Sequence, residues 1–125
     1  MKRLVCGGRD FADRDLVYMT LEAACIHAKC TEIICGYNPK DNRFQGADQL
    51  AYEWAQETDF PCRTFPADWK QFGRSAGPRR NSQMAADGPD ECLAFPRADG
   101  TWGNGTLDMI GKAARAGAVV HRVTS

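Results

Sequence analysis

The sequence predicts a single α/β domain over residues 1–125, with helices on both faces of a parallel sheet of about five strands in the order 3-2-1-4-5. Three observations carry this prediction. Short apolar runs alternate with helical patterns along the whole chain. The segments between successive runs read as helices, as parallel neighbours require, because their connections must cross over and do so right-handed. Glycine-rich segments follow the first and fourth runs, where a sheet of this order reverses direction and a Rossmann-like, three-layer domain binds ligands outside the strands' carboxyl ends.

Lys2 to Cys6 is the first expected strand. Gly7-Gly8-Arg9-Asp10-Phe11 then leads to a helix from about Asp13, a residue suited to capping, to Lys29. Leu16, Met19, Leu21, Ala24 and Ala28 form its apolar face. Glu32 to Cys35 is the second strand, and a polar loop runs from Gly36 to Gln45. Gly46-Ala47-Asp48 opens a second helix, in which Leu50 and Trp54 read as core. Pro61 to Phe65 is the third strand, Pro66 to Ser75 a loop, and Ala76-Gly77-Pro78 starts a helix reaching about Asp87, since proline suits a first helical turn. Glu91 to Phe95 is the fourth strand, Pro96 to Gly105 a glycine-rich segment, Thr106 to Ala116 the last helix, and Ala118 to Val123 the last strand.

Composition limits the function. Lys+Arg 16 balances Asp+Glu 16, so no charge excess directs the chain to nucleic acids in general or to a membrane surface. The apolar run after Lys2-Arg3 is too short for a signal peptide and no stretch approaches a membrane span, so a cytoplasmic protein without a membrane partner is expected. Six cysteines contain no CxxC pair, and four of them fall in or beside strand-like runs, which reads as reduced, mostly buried thiols. His27 and His121 are isolated and lack the spacing of zinc ligands. Neither a metal nor a cofactor is expected.

The strand-end loops hold the chemistry. Gly7 and Gly8 allow close backbone approach, Arg9 supplies a fork-shaped cation, and Asp10 accepts from a hydroxyl or orients Arg9; a plain tight turn explains the same residues. Gly105-Thr106 enters the last helix, so backbone N–H groups and a hydroxyl point at an anion near its N-terminus. The alternative is a flexible loop with a threonine cap. Asp48, after Gly46-Ala47, favours the positive end of a helix dipole and is also within reach of a ribose hydroxyl. Trp69, beside Asp68, either stacks on a base or seals the edge of the core. Arg74, Arg79 and Arg80 form a cluster able to neutralise phosphate, although a solvated charged face is the usual explanation for such a run; the preference for Arg80, next to Asn81, as a ligand residue comes only from the family resemblance given below. Asp108 reads first as a helix-dipole partner.

Gly7-Gly8-Arg9-Asp10-Phe11, Gly46-Ala47-Asp48, Pro66-Ala67-Asp68-Trp69, Ala76-Gly77-Pro78-Arg79-Arg80-Asn81-Ser82-Gln83-Met84 and Gly105-Thr106-Leu107-Asp108-Met109 together resemble the YspA-like branch of the SLOG superfamily. The resemblance spans nearly the whole chain and implies a Rossmannoid fold that binds or processes nucleotide-derived ligands; many such proteins come from bacteria and their phages. A sister branch, the LOG phosphoribohydrolases (once named as lysine decarboxylases), cleaves the base from nucleoside 5′-monophosphates with a PGGxGTxxE motif and an upstream arginine. Arg80 is similar to that arginine and Gly105-Thr106 to the GT, but Met109 stands at the position of the catalytic glutamate. A thioether neither exchanges a proton nor stabilises an oxocarbenium-like centre, so that chemistry does not carry over. Pro96-Arg97-Ala98-Asp99-Gly100 replaces the usual double glycine and lengthens the loop.

Two function classes follow. One is a domain that senses or sequesters a nucleotide-like small molecule. The other is an N-glycosidic hydrolase in which Asp48, Asp68 or Asp108 replaces the missing glutamate. A protein-interaction module with a vestigial pocket is a third reading, and a homo-oligomer is compatible with each.

Overall fold

Residues that are apolar on both sides of the backbone belong inside a sheet covered on both faces, and the strands obey that rule. The structure, a computed structural model, describes residues 1–25 and 30–124. Strands β1 (Lys2–Gly7), β2 (Glu32–Cys35), β3 (Cys62–Thr64), β4 (Glu91–Phe95) and β5 (Val119–Arg122) form one sheet in the order β3-β2-β1-β4-β5. Every pairing is parallel, with Leu4 opposite Ile34 on one side and Cys92 on the other. The central strands β1, β2 and β4 are buried almost throughout, whereas β3 and β5 form the more exposed edges.

Alternation along the strands divides the core into two layers. Val5, Ile33, Cys35, Leu93 and Phe95 face α1 (Arg14–Cys25) and α2 (Ala47–Thr58), where Val17, Leu21, Leu50 and Trp54 meet them. Leu4, Cys6, Ile34, Cys92 and Ala94 face the opposite layer, with Met84 of α4 (Ala76–Ala86) and Met109, Ile110 and Ala113 of α5 (Asn104–Arg115). Burying each large apolar side chain contributes roughly 1.5–3 kcal/mol, so the two layers explain why a chain of this length folds without a bridge between cysteines. All six cysteines are unbridged. No helix among the described residues is long and apolar enough to cross a membrane.

Several local readings change. Asp13 caps α1 as expected, its Oδ1 accepting from the Leu16 amide at 3.1 Å. The buried stripe, however, is Val17-Leu21-Cys25 at four-residue spacing, which turns Met19 outward to 65 % exposure. His27, Ala28 and Lys29, expected in this helix, lie outside the described residues. The Pro66–Ser75 loop contains a short helix, α3 (Trp69–Phe72), and a 3-10 turn over Gly73–Ser75. Asp68 starts α3 by accepting from the Gln71 amide at 3.1 Å, which satisfies an otherwise orphaned donor. The last helix begins at Asn104, two residues before the expected start, with Gly103 at the cap position. Thr106 therefore sits in the first turn, not at the cap.

The crossovers place α1 and α2 on one face and α4 and α5 on the other. Order reverses between β1 and β4, so the loops leaving these strands diverge and open a crevice at the carboxyl end of the sheet.

Candidate functional site

The β1–α1 loop, the β4–α5 loop and the first turns of α4 and α5 surround a cleft of about 610 Å³ at that crevice. Gly7-Gly8 and Gly105-Thr106 face it together, as do Arg9, Asp10, Asp48, Trp69, Arg80 and Asn81. Gly46 and Asp68 do not line it.

Close packing of chain on chain explains the first glycine pair. A Cβ on Gly7 would lie 2.7 Å from Ala47 Cβ, and one on Gly8 would lie 2.7 Å from Arg97 Cα. The approach that requires these two glycines is thus loop against loop and loop against α2, while their backbone still forms cleft wall. Gly46, at φ +65°, sits behind them, and a Cβ there would strike the Gly8 carbonyl oxygen at 1.9 Å. Its role is to seat the start of α2 against the β1–α1 loop. Asp10 ties that loop to the other wall, its Oδ1 accepting from the Ala98 amide at 2.9 Å.

The opposite wall begins with α5. Its cap residue, Gly103, has no side chain to turn back, and the first bond into the helix runs from the Leu107 amide to the Gly103 carbonyl at 3.0 Å. Among the described residues, the amides of Asn104, Gly105 and Thr106 have no partner in the protein. These orphaned donors, with the positive end of the helix dipole, favour an anion.

Arg80 projects from α4 and is fixed from three directions. Its Nη1 donates to the Gly36 carbonyl at 3.0 Å and the Phe65 carbonyl at 3.4 Å, and Nε donates to Asn81 Oδ1 at 2.9 Å. Gly36 makes room for it, because a Cβ there would stand 2.1 Å from Nη1. Buried Asn81 in turn donates to the Gly105 carbonyl at 3.3 Å and to Asp108 Oδ2 at 3.0 Å, coupling the arginine to the first turn of α5. Neither Arg74 nor Arg79 lines the cleft; the Arg79 guanidinium stacks over Phe72 at 4.4 Å.

The three aspartates named as alternatives to the missing glutamate have different surroundings. Asp68 caps α3 beside a minor hollow of about 50 Å³. Asp108 lines the cleft but is engaged by Asn81 and by Lys112 Nζ at 2.9 Å. Burial raises its carboxyl and is the largest single influence, but those two hydrogen bonds and nearby cations together hold it below the ordinary range. Asp48, in the first turn of α2, has an Oδ1 sealed from solvent and without a partner among the described residues. Burial pushes its carboxyl up to about 6, against the opposing pull of Arg80, Arg9 and the Gly36 amide. A carboxyl poised there exchanges protons near neutrality. Gly46, not Asp48, holds the cap position, so Asp48 offers its charge to the helix dipole without a capping hydrogen bond.

Trp69 stands at the mouth, 44 % exposed. Its ring lies 3.1 Å from where a Cβ on Gly77 would be, and the Arg9 guanidinium is 5.7 Å from its centroid. Gly103, within the glycine-rich segment before the last helix, also lines the cleft, as do Arg97 and Gly36, which the sequence reading did not name as ligand residues. Their position immediately after β2 and β4, or at the cap of α5, was the available signal. Met109 is 1 % exposed and packs in the core beneath the cleft.

Two comparisons agree with the architecture. The model of the YspA, cpYpsA-related SLOG family matches residues 1–72, which include β1, its glycine loop and the start of α2. The chain is also similar to the Gene 61 protein of Mycobacterium phage D29, with 30 % identity over 119 residues, covering 91 % of this chain and 89 % of that protein. On this match over more than half its length, and on the near full-length similarity to a phage protein, the chain belongs to the YspA, cpYpsA-related SLOG family.

Proposed function

We propose that the cleft binds a nucleotide-derived small molecule, with a phosphate on the first turn of α5 beside Arg80 and the base towards Trp69. The observation that carries this reading is the pairing of three unpartnered amides at Asn104, Gly105 and Thr106 with an arginine held by backbone carbonyls. Charge-assisted bonds from prearranged donors suit a phosphate oxygen. Family membership supports a nucleotide-related role. The domain then acts as a sensor or a sequestering module. The thermal midpoint tests this, because a ligand bound only by the folded state adds about 2.7 kcal/mol at a hundredfold excess over Kd. Nucleoside 5′-monophosphates are expected to raise the midpoint by several degrees and the matching nucleosides by less. If none of the monophosphates moves it, the reading fails.

One observation favours N-glycosidic hydrolysis as a second reading. Asp48 lines the cleft, has one oxygen sealed and unpartnered, and is raised to about 6, as suits a general acid or base near neutrality. Free base released at turnover from a nucleoside monophosphate, and abolished in Asp48→Asn, would establish it. Stable binding with no base released leaves the domain a binder.

A further inference from the structure

Outside the cleft, Arg3 pairs with Glu91, Arg14 with Glu53, Arg43 with Asp41 and Arg63 with Glu32 and Asp87, while Arg74, Arg79, Arg115 and Arg122 form no ion pair among the described residues. The arginines that line the cleft are all of the second kind. Among the described residues, Arg9, Arg80 and Arg97 form no ion pair within 4.0 Å, although Asp10 and Asp48 share the same walls. One phosphate on the first turn of α5, beside Arg80, leaves the Arg97 guanidinium unused.

Arg97 is positioned by the lengthened β4–α5 loop. Its amide donates to the Thr101 carbonyl at 2.8 Å and its carbonyl accepts from the Gly100 amide at 2.9 Å, which closes the loop on itself. The side chain then lies against the cap of α5, with Nε 3.0 Å and Nη2 3.1 Å from where a Cβ on Gly103 would stand. Arg80 reaches the same helix end by another route, through Asn81 to the Gly105 carbonyl. Arg97 thus lies against the helix terminus itself, Arg80 is linked to it through Asn81, and both arginines line the same cleft. A single phosphate has its charge largely met by the three free amides and one arginine, so a second cation at the cap suits a second anionic group.

We infer that the natural ligand carries at least two linked phosphates, the first on the amides of α5 with Arg80 and the second at Arg97. This rests on the nucleotide reading above and extends it to the class of nucleoside polyphosphates and pyrophosphate-linked nucleotides. The lengthened loop is then a specificity element, and Arg97 discriminates by phosphate number.

Isothermal titration with matched nucleoside 5′-monophosphates and 5′-diphosphates, without divalent cations, tests the inference in the wild type, Arg97→Gln and Arg74→Gln. The diphosphate of the preferred base is expected to bind about tenfold tighter than its monophosphate, the size of one added charge-assisted hydrogen bond. Arg97→Gln should remove that advantage and leave monophosphate affinity within about twofold, while Arg74→Gln, outside the cleft, retains the advantage. Equal affinity for both nucleotides in the wild type overturns the inference but not the nucleotide reading. An advantage that survives in Arg97→Gln, or an equal loss for both nucleotides, also overturns it. If no nucleotide of either kind binds, the nucleotide reading itself falls, and the inference with it.

Discussion

The two ends of the sheet treat charge in opposite ways. At the amino end, Lys2 Nζ lies 2.6 Å from Asp87 Oδ2 and 3.7 Å from Glu32, while Arg63 donates to both of those carboxylates. Glu91 receives Arg3 at 3.2 Å and His121 at 3.2 Å. Hydrogen bonds from Arg63, above all, hold Glu32 and Asp87 below the usual carboxylate range. At the carboxyl end, Asp48 is raised to about 6, the cleft arginines lack ion pairs, and the first turn of α5 is uncapped. The amino end pairs its carboxylates with cations, although Nε and Nη1 of buried Arg3 have no hydrogen-bond partner among the described residues. The carboxyl end leaves strong donors and an acceptor unmet, an arrangement that costs stability unless something else satisfies them. That contrast supports the proposal that the ligand binds at the carboxyl end.

The largest expected effect is on Arg80. Arg80→Ala should weaken phosphate-dependent binding by about 2–3 kcal/mol, roughly a hundredfold, and also lower the melting midpoint, because the Gly36 and Phe65 carbonyls lose their donor. Gly36→Ala sharpens the point, since the added methyl would displace the guanidinium without deleting it. Titration calorimetry should find a comparable loss of binding in both variants. Wild-type affinity in Gly36→Ala would mean that the carbonyl cradle does not set the position of the arginine.

Asp48→Asn comes next, and its sign distinguishes the two ends. A free aspartate titrates near 3.9 and Asp48 at about 6, so between those values the folded state binds a proton that the unfolded state does not. This carboxyl therefore adds stability as pH falls from about 7 towards 4. Asp48→Asn should raise the stability of the ligand-free protein at pH 7 by about 1–3 kcal/mol and flatten that part of its pH profile. Denaturant titration across the range checks both; a destabilised variant at pH 7 would show that the charge is satisfied after all.

Asp87→Asn should act in the opposite direction and less strongly. Its depressed carboxyl contributes stability that is present above the unfolded value near 4 and is lost as pH falls through the lower folded value. Partial exposure and salt screening limit the loss to about 0.5–1 kcal/mol at neutral pH, shrinking in 1 M salt. Chemical denaturation at low and high salt measures it, and a stabilising substitution would contradict the account of the amino end.

Much of this was legible from residue order. The central strands are apolar on both faces, so Leu4-Val5-Cys6, Ile33-Ile34-Cys35 and Cys92-Leu93-Ala94 declare a covered sheet, and the alternating helices dictate its parallel order. Gly7-Gly8 and Gly105-Thr106 were expected at one crevice and both line it. What escaped was set by tertiary crowding. That Gly36 exists to admit Arg80, that Gly8 is required by Arg97, and that Gly77 carries Trp69 depend on atoms distant in sequence. Asp68 read as a strand-end acid but serves to begin α3, because a short aspartate side chain bonds the backbone nearest to it. The raised carboxyl of Asp48 likewise comes from enclosure, which no local pattern encodes.

The central claim is that an anionic ligand is gripped by the first turn of α5 at the carboxyl end of the sheet. Amide chemical shifts followed by NMR during titration with a nucleoside 5′-diphosphate test it most directly. The account predicts saturating shifts at Asn104, Gly105 and Thr106, with Arg80 Nε and the Gly7-Gly8 amides following, and none at Lys2, Glu32 or Asp87. Saturable shifts centred on the amino end, with the α5 amides unmoved, would contradict it.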